Sequence, residues 1–553
     1  MGNPLLRRRP TPGGLALAIA TLFSLQIAGC AVGPDYARPR VAQPEKLLAN
    51  ANLSTASAAV AAGDSQRFVL TGDIQSDWWT LFKSPAINSL IEKAFAANPN
   101  LEAAQAALRV AQANVSAQQG FFFPTAALNY TPSRTKLAGN VAGANAPGWQ
   151  GNGKNITPSA NAAPVTYTFH TAQLSVGFVP DVFGANVRAV ESLQAQAEAQ
   201  RFALQAAYVT LATNIVAASV QDALLRSQMA TTQELINSSG VLFDLTQRQY
   251  KAGFASQLDL ANQENALAQA KALMPPLQKQ FDQNRNLLRA LIGATPDAEI
   301  PSFDLNTLQL PQELPLSLPS QLIEQRPDVR AAEALLQAAS AQVGIARAAR
   351  LPSFSIAASV GGTASRFDQM FWNSGRFFDA ALGIAQPVFQ GGTLLNREKA
   401  AREALAQAQA QYQATVITAY ENVADALQAI YTNAESLKAN HDAAQASKTA
   451  LDLIRRQHTN GYLDRLALIA AEQSYRQSLL NLSQAQATRL GDTALLFQAL
   501  GGGWWHVASA NTAPSATSAP STAQPAAAAK ANSGDTASYS QPAAIPPKEP
   551  PKP

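Results

Sequence analysis

The sequence has little of what an enzyme or a metalloprotein needs. Its 553 residues include one cysteine and four histidines, so an internal disulfide is excluded and no metal-ligand spacing is present. It contains no nucleophile elbow, P-loop, dinucleotide fingerprint or zinc motif. Charged residues make up only 14%, with a net charge of +4, and no basic run suits nucleic acid. We therefore expect no enzyme activity, cofactor, metal or nucleic-acid partner.

Aromatic residues are also scarce. They make up 7% of the chain, whereas hydrophobic residues reach 47% because alanine is abundant. A composition rich in Ala and Gln favours long, closely packed helices over a bulky core. The chain is also too long for one ordinary globular core. These features predict an extended, mostly helical protein.

One stretch of sequence occurs twice, at 98–128 and again at 326–356. At a fixed offset, Pro124 aligns with Pro352. Each copy is predicted to be a capped helix that ends at a turn before the proline and continues as a strand. The similarity indicates an internal two-fold repeat. Later segments that match are 182–184 with 388–392 and 248–264 with 456–472.

The N-terminus has the pattern of an export signal. Arginines at 7–9 precede an apolar segment, 15–27, which is short for a membrane span. Small residues stand directly before Cys30, an arrangement that resembles a bacterial lipobox. That resemblance implies cleavage before Cys30, acylation of this residue and, because Ala31 follows, sorting to the outer membrane. A plain signal peptide with an incidental cysteine is the alternative.

Four segments alternate between polar and apolar residues, as half-buried strands do. These segments are 123–131, 165–179, 353–361 and 380–388. In the second, the apolar residues change face between Phe169 and Leu174, which predicts a bulge or a change of environment. Aromatic residues near the hairpin ends are typical of a membrane-barrel girdle, although an ordinary soluble hairpin is the alternative. They are Phe121, Phe122, Phe123, Phe371, Trp372, Phe377 and Phe378.

Four strands cannot close a barrel, and lipid does not tolerate an open sheet edge. If these strands span a membrane, several copies of the chain must pool them. The predicted hairpin tips, 132–164 and 362–377, are polar, which suits the external side of an outer-membrane barrel. The sequence therefore favours an oligomer.

Two very long helices are predicted, at 185–248 and 393–456. At about 1.5 Å per residue each would reach roughly 95 Å, far beyond the thickness of a membrane. In the second helix Val416, Val423 and Ile430 recur every seven residues, beside another apolar stripe. Two stripes predict neighbours on two sides, as in a cylinder of helices; an ordinary bundle is the alternative. Shorter partner helices are predicted at 256–291, broken by its two prolines, and at 464–500.

Six motifs along the chain carry a resemblance to a known family. They are Cys30 with 33–36, Trp78–Trp79, 98–101, 326–333, 387–389 with 391–392, and 499–504. Taken together, these motifs resemble the outer membrane factor family, the TolC-like channels, in the lipoprotein branch of tripartite efflux systems. The resemblance covers about residues 30–506 and implies a mostly α fold with a small membrane β part. In that fold a homotrimer with four strands per chain joins a β-barrel to a long α-helical barrel.

The resemblance also implies partners and sites. The partners would be a periplasmic adaptor, an inner-membrane drug pump and outer-membrane lipid. The two turns that contain Gly253 and Gly461 would lie at the periplasmic tip. Ala470 stands where related sequences often carry an acidic residue. The implied adaptor-contact residues are Lys251, Gly253, Phe254, Ser256 and Gly461. The implied gate residues are Tyr462, Asp464, Arg465 and Leu466.

The expected function is a passive exit duct for small molecules such as drugs. One alternative is a type I protein secretion duct, and another is a lipid-anchored periplasmic coiled-coil structural protein. The expected organisation is a lipoprotein signal peptide (1–29), an extended N-terminal segment (30–84), a first repeat (85–293, hairpin 121–180), a Pro-rich connector (294–319), a second repeat (320–506, hairpin 352–389) and a disordered tail (507–553).

Overall fold

The protein is described by a computed structural model. The described residues are 31–41, 44, 54–70, 73–138, 164–316 and 319–505. The predicted signal peptide, Cys30, most of the first hairpin tip and the tail at 507–553 lie outside them.

Helices dominate the described chain, and each half contains a β-hairpin followed by a helix of 67 residues. The first half contains β1 Arg67–Leu70, a 3₁₀ helix Trp78–Phe82, α1 Pro85–Ala97, α2 Pro99–Gln119, a 3₁₀ helix Gly120–Phe122, β2 Thr125–Leu137, β3 Val165–Phe178, α3 Ala185–Lys251, α4 Gln257–Ala272 and α5 Met274–Leu291. The second contains β4 Glu313–Leu316, α6 Pro319–Gln325, α7 Pro327–Ala348, β5 Ser353–Ala364, a 3₁₀ helix Phe367–Phe371, β6 Arg376–Ala385, α8 Thr393–Thr459 and α9 Arg465–Ala499.

The helices that begin the two repeated stretches start differently. The Asn98 side chain caps α2 by accepting hydrogen bonds from the backbone N–H groups of Asn100 (2.8 Å) and Leu101 (3.3 Å). The matching residue, Arg326, caps nothing with its side chain. Its buried guanidinium instead donates to the Ala499 carbonyl at 2.8 Å, which ties the start of α7 to the end of α9.

The two long helices, α3 and α8, have 67 residues each, or about 100 Å. Both start after a glycine in the left-handed region, Gly184 (φ 75°) and Gly392 (φ 82°), and both run three residues beyond the predicted end. One apolar window of α3, with mean hydropathy 1.4, is long enough to span a membrane, but 56% of it is buried inside the chain. We interpret that window as a packing surface between helices.

The heptad pattern of α8 is confirmed as a buried stripe. Val416, Val423, Ile430 and Leu437 are all 0% exposed. The helix packs against α7 and α9, and α9 in turn lies between α8 and α3. The helices therefore have neighbours on two sides, as the two stripes indicate.

The strands form one four-stranded antiparallel sheet in the order β2-β3-β5-β6. The bulge considered for β3 is wrong, because its pairing with β2 runs without interruption from Val165–Leu137 to Gly177–Thr125. The change of face therefore occurs within a regular strand. The fourth strand begins at Arg376 and ends at Ala385, earlier than predicted, because Pro387 cannot extend the ladder.

The predicted connector and N-terminal segment are more structured than expected. The four residues of β4 pair in parallel with β1, and nearby Phe303, Leu305 and Leu308 are buried. This small sheet belongs to the main core, where Trp78 is 0% exposed and stacks on Phe497 at 5.1 Å. Strands of four residues are too short for alternation to reveal them in sequence.

Candidate functional site

In the half of the sheet nearest the helices, one face is apolar and the other is polar. Along one row of paired positions lie Leu128, Leu174, Val360 and Phe378, which are 80%, 43%, 56% and 85% exposed. The next row on the opposite face is Ala127, Ser175, Ser359 and Asp379. A continuous exposed apolar surface of this kind marks an interaction with lipid or protein, and its alternation with a polar face is that of a membrane barrel wall.

The strands are long enough to cross a membrane. They have 13, 14, 12 and 10 residues, and a tilted membrane strand needs about 9–11. Both edges, β2 and β6, pair with no other strand among the described residues. Because an unpaired edge cannot face hydrocarbon, the sheet of one chain is an incomplete wall.

Exposed aromatic residues flank the sheet at two levels. Phe121 and Phe123, at 63% and 69% exposed, lie where α2 meets β2. Phe371 and Trp372, at 58% and 55% exposed, lie in the turn between β5 and β6. The sequence pattern also places Phe377 in this predicted girdle, but the residue pairs with Gly361 on the polar face and is half-buried.

Both predicted glycine turns have the geometry of a helix C-terminal cap. Gly253 and Gly461 adopt φ of 81° and 78°. In each turn the backbone N–H of the residue after the glycine donates to a carbonyl in the last turn of the helix. Phe254 N–H donates to the Gln249 carbonyl (2.8 Å), and Tyr462 N–H donates to the Gln457 carbonyl (2.9 Å). This is the Schellman arrangement, which favours glycine because its left-handed residue lacks a Cβ.

Two of the predicted site residues, Ser256 and Asp464, cap α4 and α9, the helices that follow the two turns. Ser256 and Asp259 form a reciprocal capping box: Asp259 N–H donates to Ser256 Oγ at 3.1 Å, and Ser256 N–H donates to the Asp259 carboxylate at 2.9 Å. The hydrogen bonds from the Ser256 side chain and backbone lower the pKa of Asp259. Asp464 accepts from Ala467 N–H at 2.9 Å. Asp259 was missed, although the S-x-x-D spacing marks it.

The turns present large apolar side chains to solvent. Phe254 is 86% exposed, Tyr462 80% and Leu466 51%, and Lys251 and Arg465 are exposed beside them. Such exposure at a helix end marks a contact surface.

The two turns lie at the same end of the molecule. The α3 and α9 helices run antiparallel, since Ser227 contacts Ser483 (3.0 Å) while Gln473 contacts Ser239 (3.3 Å). Continuing this register brings the end of α3 beside the start of α9. Both α3 and α8 start next to the sheet, so the turns lie about 100 Å from it.

The described N-terminal residues are fastened to the helices near the sheet. Asp35 pairs with the buried Arg188 at 2.6 Å, and Arg38 donates to Glu333 at 2.6 Å. Burial by itself would raise the pKa of Glu333, but the hydrogen bond from Arg38 and the charge of Arg330 hold this pKa below its usual range. The carboxylate is therefore ionised at neutral pH and keeps its partner.

A second attachment, at Arg489, could not be read from the sequence. Its side chain is 0% exposed and donates to the carbonyls of Ala62 (3.1 Å) and Asp64 (2.7 Å) and to Thr55 Oγ1 (3.0 Å). Burial lowers the pKa of Arg489 to about 10, so it is still charged at neutral pH. Among the residues that the structure describes, no group of three or more His, Cys, Asp or Glu could hold a metal ion.

The sheet with its apolar face and the very long antiparallel helices define an outer-membrane channel. The family model of outer membrane efflux proteins matches residues 90–294 and 318–502, more than half of the chain. The chain therefore belongs to the outer membrane efflux protein family.

Known proteins are similar to this chain over most of their length. The pyoverdine export outer membrane protein OpmQ of Pseudomonas putida is 28% identical over 77% of this chain and 88% of its own. The probable efflux pump outer membrane protein TtgC of the same species is 27% identical over 89% of this chain and 96% of its own.

Solved structures agree with the architecture. The outer-membrane channel OprN superposes with a TM-score of 0.71 at 25% identity, covering 86% of this chain and all 100% of that chain. The Campylobacter jejuni CmeC outer membrane channel has a TM-score of 0.72 at 18% identity, over 86% of this chain and 95% of that chain; this likeness concerns the fold alone.

Proposed function

We propose that this protein is the exit duct of a tripartite efflux system and that three copies assemble into the duct. Each copy contributes its four strands to one closed barrel and its long helices to a tube across the periplasm. The observation that carries the proposal is the open-edged sheet with one lipid-compatible face, because only pairing with further copies satisfies both edges. The two similar halves of each chain supply one hairpin each.

The duct conducts passively. Small molecules such as drugs, delivered by an inner-membrane pump and a periplasmic adaptor, pass along the polar face of the barrel. Opening occurs at the hairpin tips, and an adaptor that binds the open arrangement more tightly shifts the population toward it. On this proposal Tyr462, Asp464, Arg465 and Leu466 form the gate. Acylation of Cys30 anchors the chain in the outer membrane, since each buried CH₂ contributes about 0.8 kcal/mol.

Transport by a deletion strain tests this function. We expect loss of the gene to raise the accumulation of a fluorescent dye or an antibiotic, expression of the intact gene to reverse it, and the pattern of secreted proteins to stay unchanged. Normal accumulation together with a missing secreted protein would favour the type I secretion duct instead.

Cross-linking tests the adaptor contact at Phe254, the exposed residue of the first tip. Phe254→Cys should form a cross-link to a periplasmic protein of the same operon in living cells. Val110→Cys provides a matched control, because this residue of α2 is 61% exposed and lies toward the sheet. Equal cross-linking at both positions would refute a docking surface at the tip.

A further inference from the structure

A groove of about 520 Å³ lies where the strands meet the helices. Its volume falls within the roughly 300–1,000 Å³ of small-molecule sites. The end of α2, the turn from β3 into α3, the turn from α7 into β5, and Pro387 line it. Most of the lining is apolar and includes Phe121, Val182, Phe183, Ile345, Leu351 and Phe354.

The groove continues onto the lipid-compatible face of the sheet. Phe354 belongs to the row of β5 side chains that also carries Ile356 and Val360, and its ring lies 6.4 Å from that of Phe183. An apolar ligand in the groove would thus lie beside the acyl region of the bilayer.

The first two described residues after Cys30, Ala31 and Val32, lie at the edge of this groove. Val32 N–H donates to the Phe183 carbonyl at 3.1 Å. A Cβ built on Gly184 would lie 2.6 Å from the Cα of Ala31, so the absence of a side chain at Gly184 makes room for the N-terminal segment. Because Phe183 and Ala185 line the groove, Ala31, the residue that follows Cys30 in the sequence, lies beside it.

The segment that follows packs closely against α3 and α7. Gly33 adopts φ of +126°, and a Cβ there would lie 2.5 Å from the Cα of Gly344. Two residues later Asp35 pairs with Arg188, which is 6% exposed. Close backbone packing and the ion pair between the buried Arg188 and the exposed Asp35 therefore hold residues 31–35 against α3 and α7.

A polar group lies beside the apolar lining. Asn186 lines the groove and accepts a hydrogen bond from Gln118 at 2.6 Å. Its Nδ2 is buried and has no hydrogen-bond partner among the residues that the structure describes. An amide donor of this kind suits the carbonyl oxygen at the head of an acyl chain.

We propose that this groove binds an acyl chain carried by Cys30, so that the anchor lies along its own protein instead of extending freely into the bilayer. The proposal rests on the acylation of Cys30 proposed above. A chain attached to Cys30 is favoured over a free phospholipid or a neighbouring copy because Ala31 is already seated at the groove's edge.

Photocrosslinking tests the proposal. Cells are fed a fatty acid with a terminal diazirine, the full-length protein is purified and irradiated, and its peptides are mapped by mass spectrometry. We expect the acylated Cys30 peptide to be joined to peptides containing residues 179–186 or 345–354. Lipid adducts on these peptides that persist in Cys30→Ser, exported by a signal peptide that does not need acylation, would show phospholipid in the groove and overturn the proposal. Absence of any groove adduct would also overturn it.

A variant that fills the groove provides a second test. Ala349 lines it and is exposed at the end of α7, so Ala349→Phe can occupy the space with little effect on folding. It should lower the yield of the cross-link at least five-fold, whereas Ala349→Ser should leave the yield unchanged. Equal yields in both variants would contradict the proposal.

Two further measurements separate this proposal from the duct function. The intact mass of each purified protein reports acylation. An unmodified Cys30 would refute the proposal for the groove but would not contradict the proposed duct function. Dye accumulation, measured in the same strains, reports the duct and does not depend on where the acyl chain lies.

Discussion

At the scale of single residues, two glycines end the long helices and one buried arginine holds the N-terminal segment. Gly253 and Gly461 adopt positive φ at the C-terminal ends of α3 and α8, where a residue without a Cβ is favoured. Arg489 donates to carbonyl oxygens that lie more than 400 positions earlier in the chain, so it joins α9 to residues that are remote in sequence.

Replacement of Arg489 should release the N-terminal segment from α9. Hydrogen bonds to charged groups contribute about 1.5–3 kcal/mol each, so Arg489→Met should lower the free energy of local opening by more than about 1.4 kcal/mol, a factor of ten in the opening equilibrium. Trypsin cleavage at Arg67 should accordingly be faster in limited proteolysis. Arg476→Met is the matched control, since Arg476 pairs with Glu234 on α3. Equal cleavage of the two variants would show that Arg489 does not hold the segment.

Replacement of either turn glycine by alanine should destabilise its turn. Nothing lies within 4 Å of a Cβ added to Gly253 or Gly461, so Ala at either position costs only the left-handed backbone, about 1–2 kcal/mol. Hydrogen exchange of the turn amides should then be about 5–30 times faster. Gly240→Ala, in the helical part of α3, adds a methyl group in open space without a positive φ and should leave those amides unchanged. If all three substitutions had the same effect, the turns would not depend on glycine.

At the scale of elements, long periodic segments were predicted well and short ones were missed. The long helices were predicted to within three residues at their ends, because apolar spacing and flanking glycines both mark them. The β1 and β4 strands contain four residues each, too few for a recognisable alternation. Of the two alternatives predicted for β3, the bulge is wrong because the pairing with β2 is uninterrupted, and a change of environment along the strand stays a prediction.

Neighbouring residues of β6 should differ sharply in their tolerance of charge. Leu382 belongs to the apolar face and Ala381 to the polar face, and both are exposed in the isolated chain. Leu382→Arg should destabilise the membrane-inserted state by about 2–4 kcal/mol near the middle of the bilayer and lower the amount of protein in outer-membrane fractions. Ala381→Arg should insert normally and alter the ion selectivity of the channel in planar bilayers. The opposite ranking would mean that the faces have been assigned the wrong way round.

At the scale of the whole molecule, one chain is incomplete. Its sheet has two edges that pair with no other strand among the described residues, and an exposed apolar face. The sequence predicted this incompleteness from the number of strands. The number of copies and the residues that close the pore depend on contacts between chains, which neither the sequence nor one chain contains.

The mass of the intact complex tests the account most directly. Protein extracted from the outer membrane in mild detergent should give, by native mass spectrometry, three times the mass of the mature chain, and the same preparation should conduct ions in planar bilayers. A stable monomer that inserts into lipid without conductance would contradict the claim that several chains pool their strands into one duct.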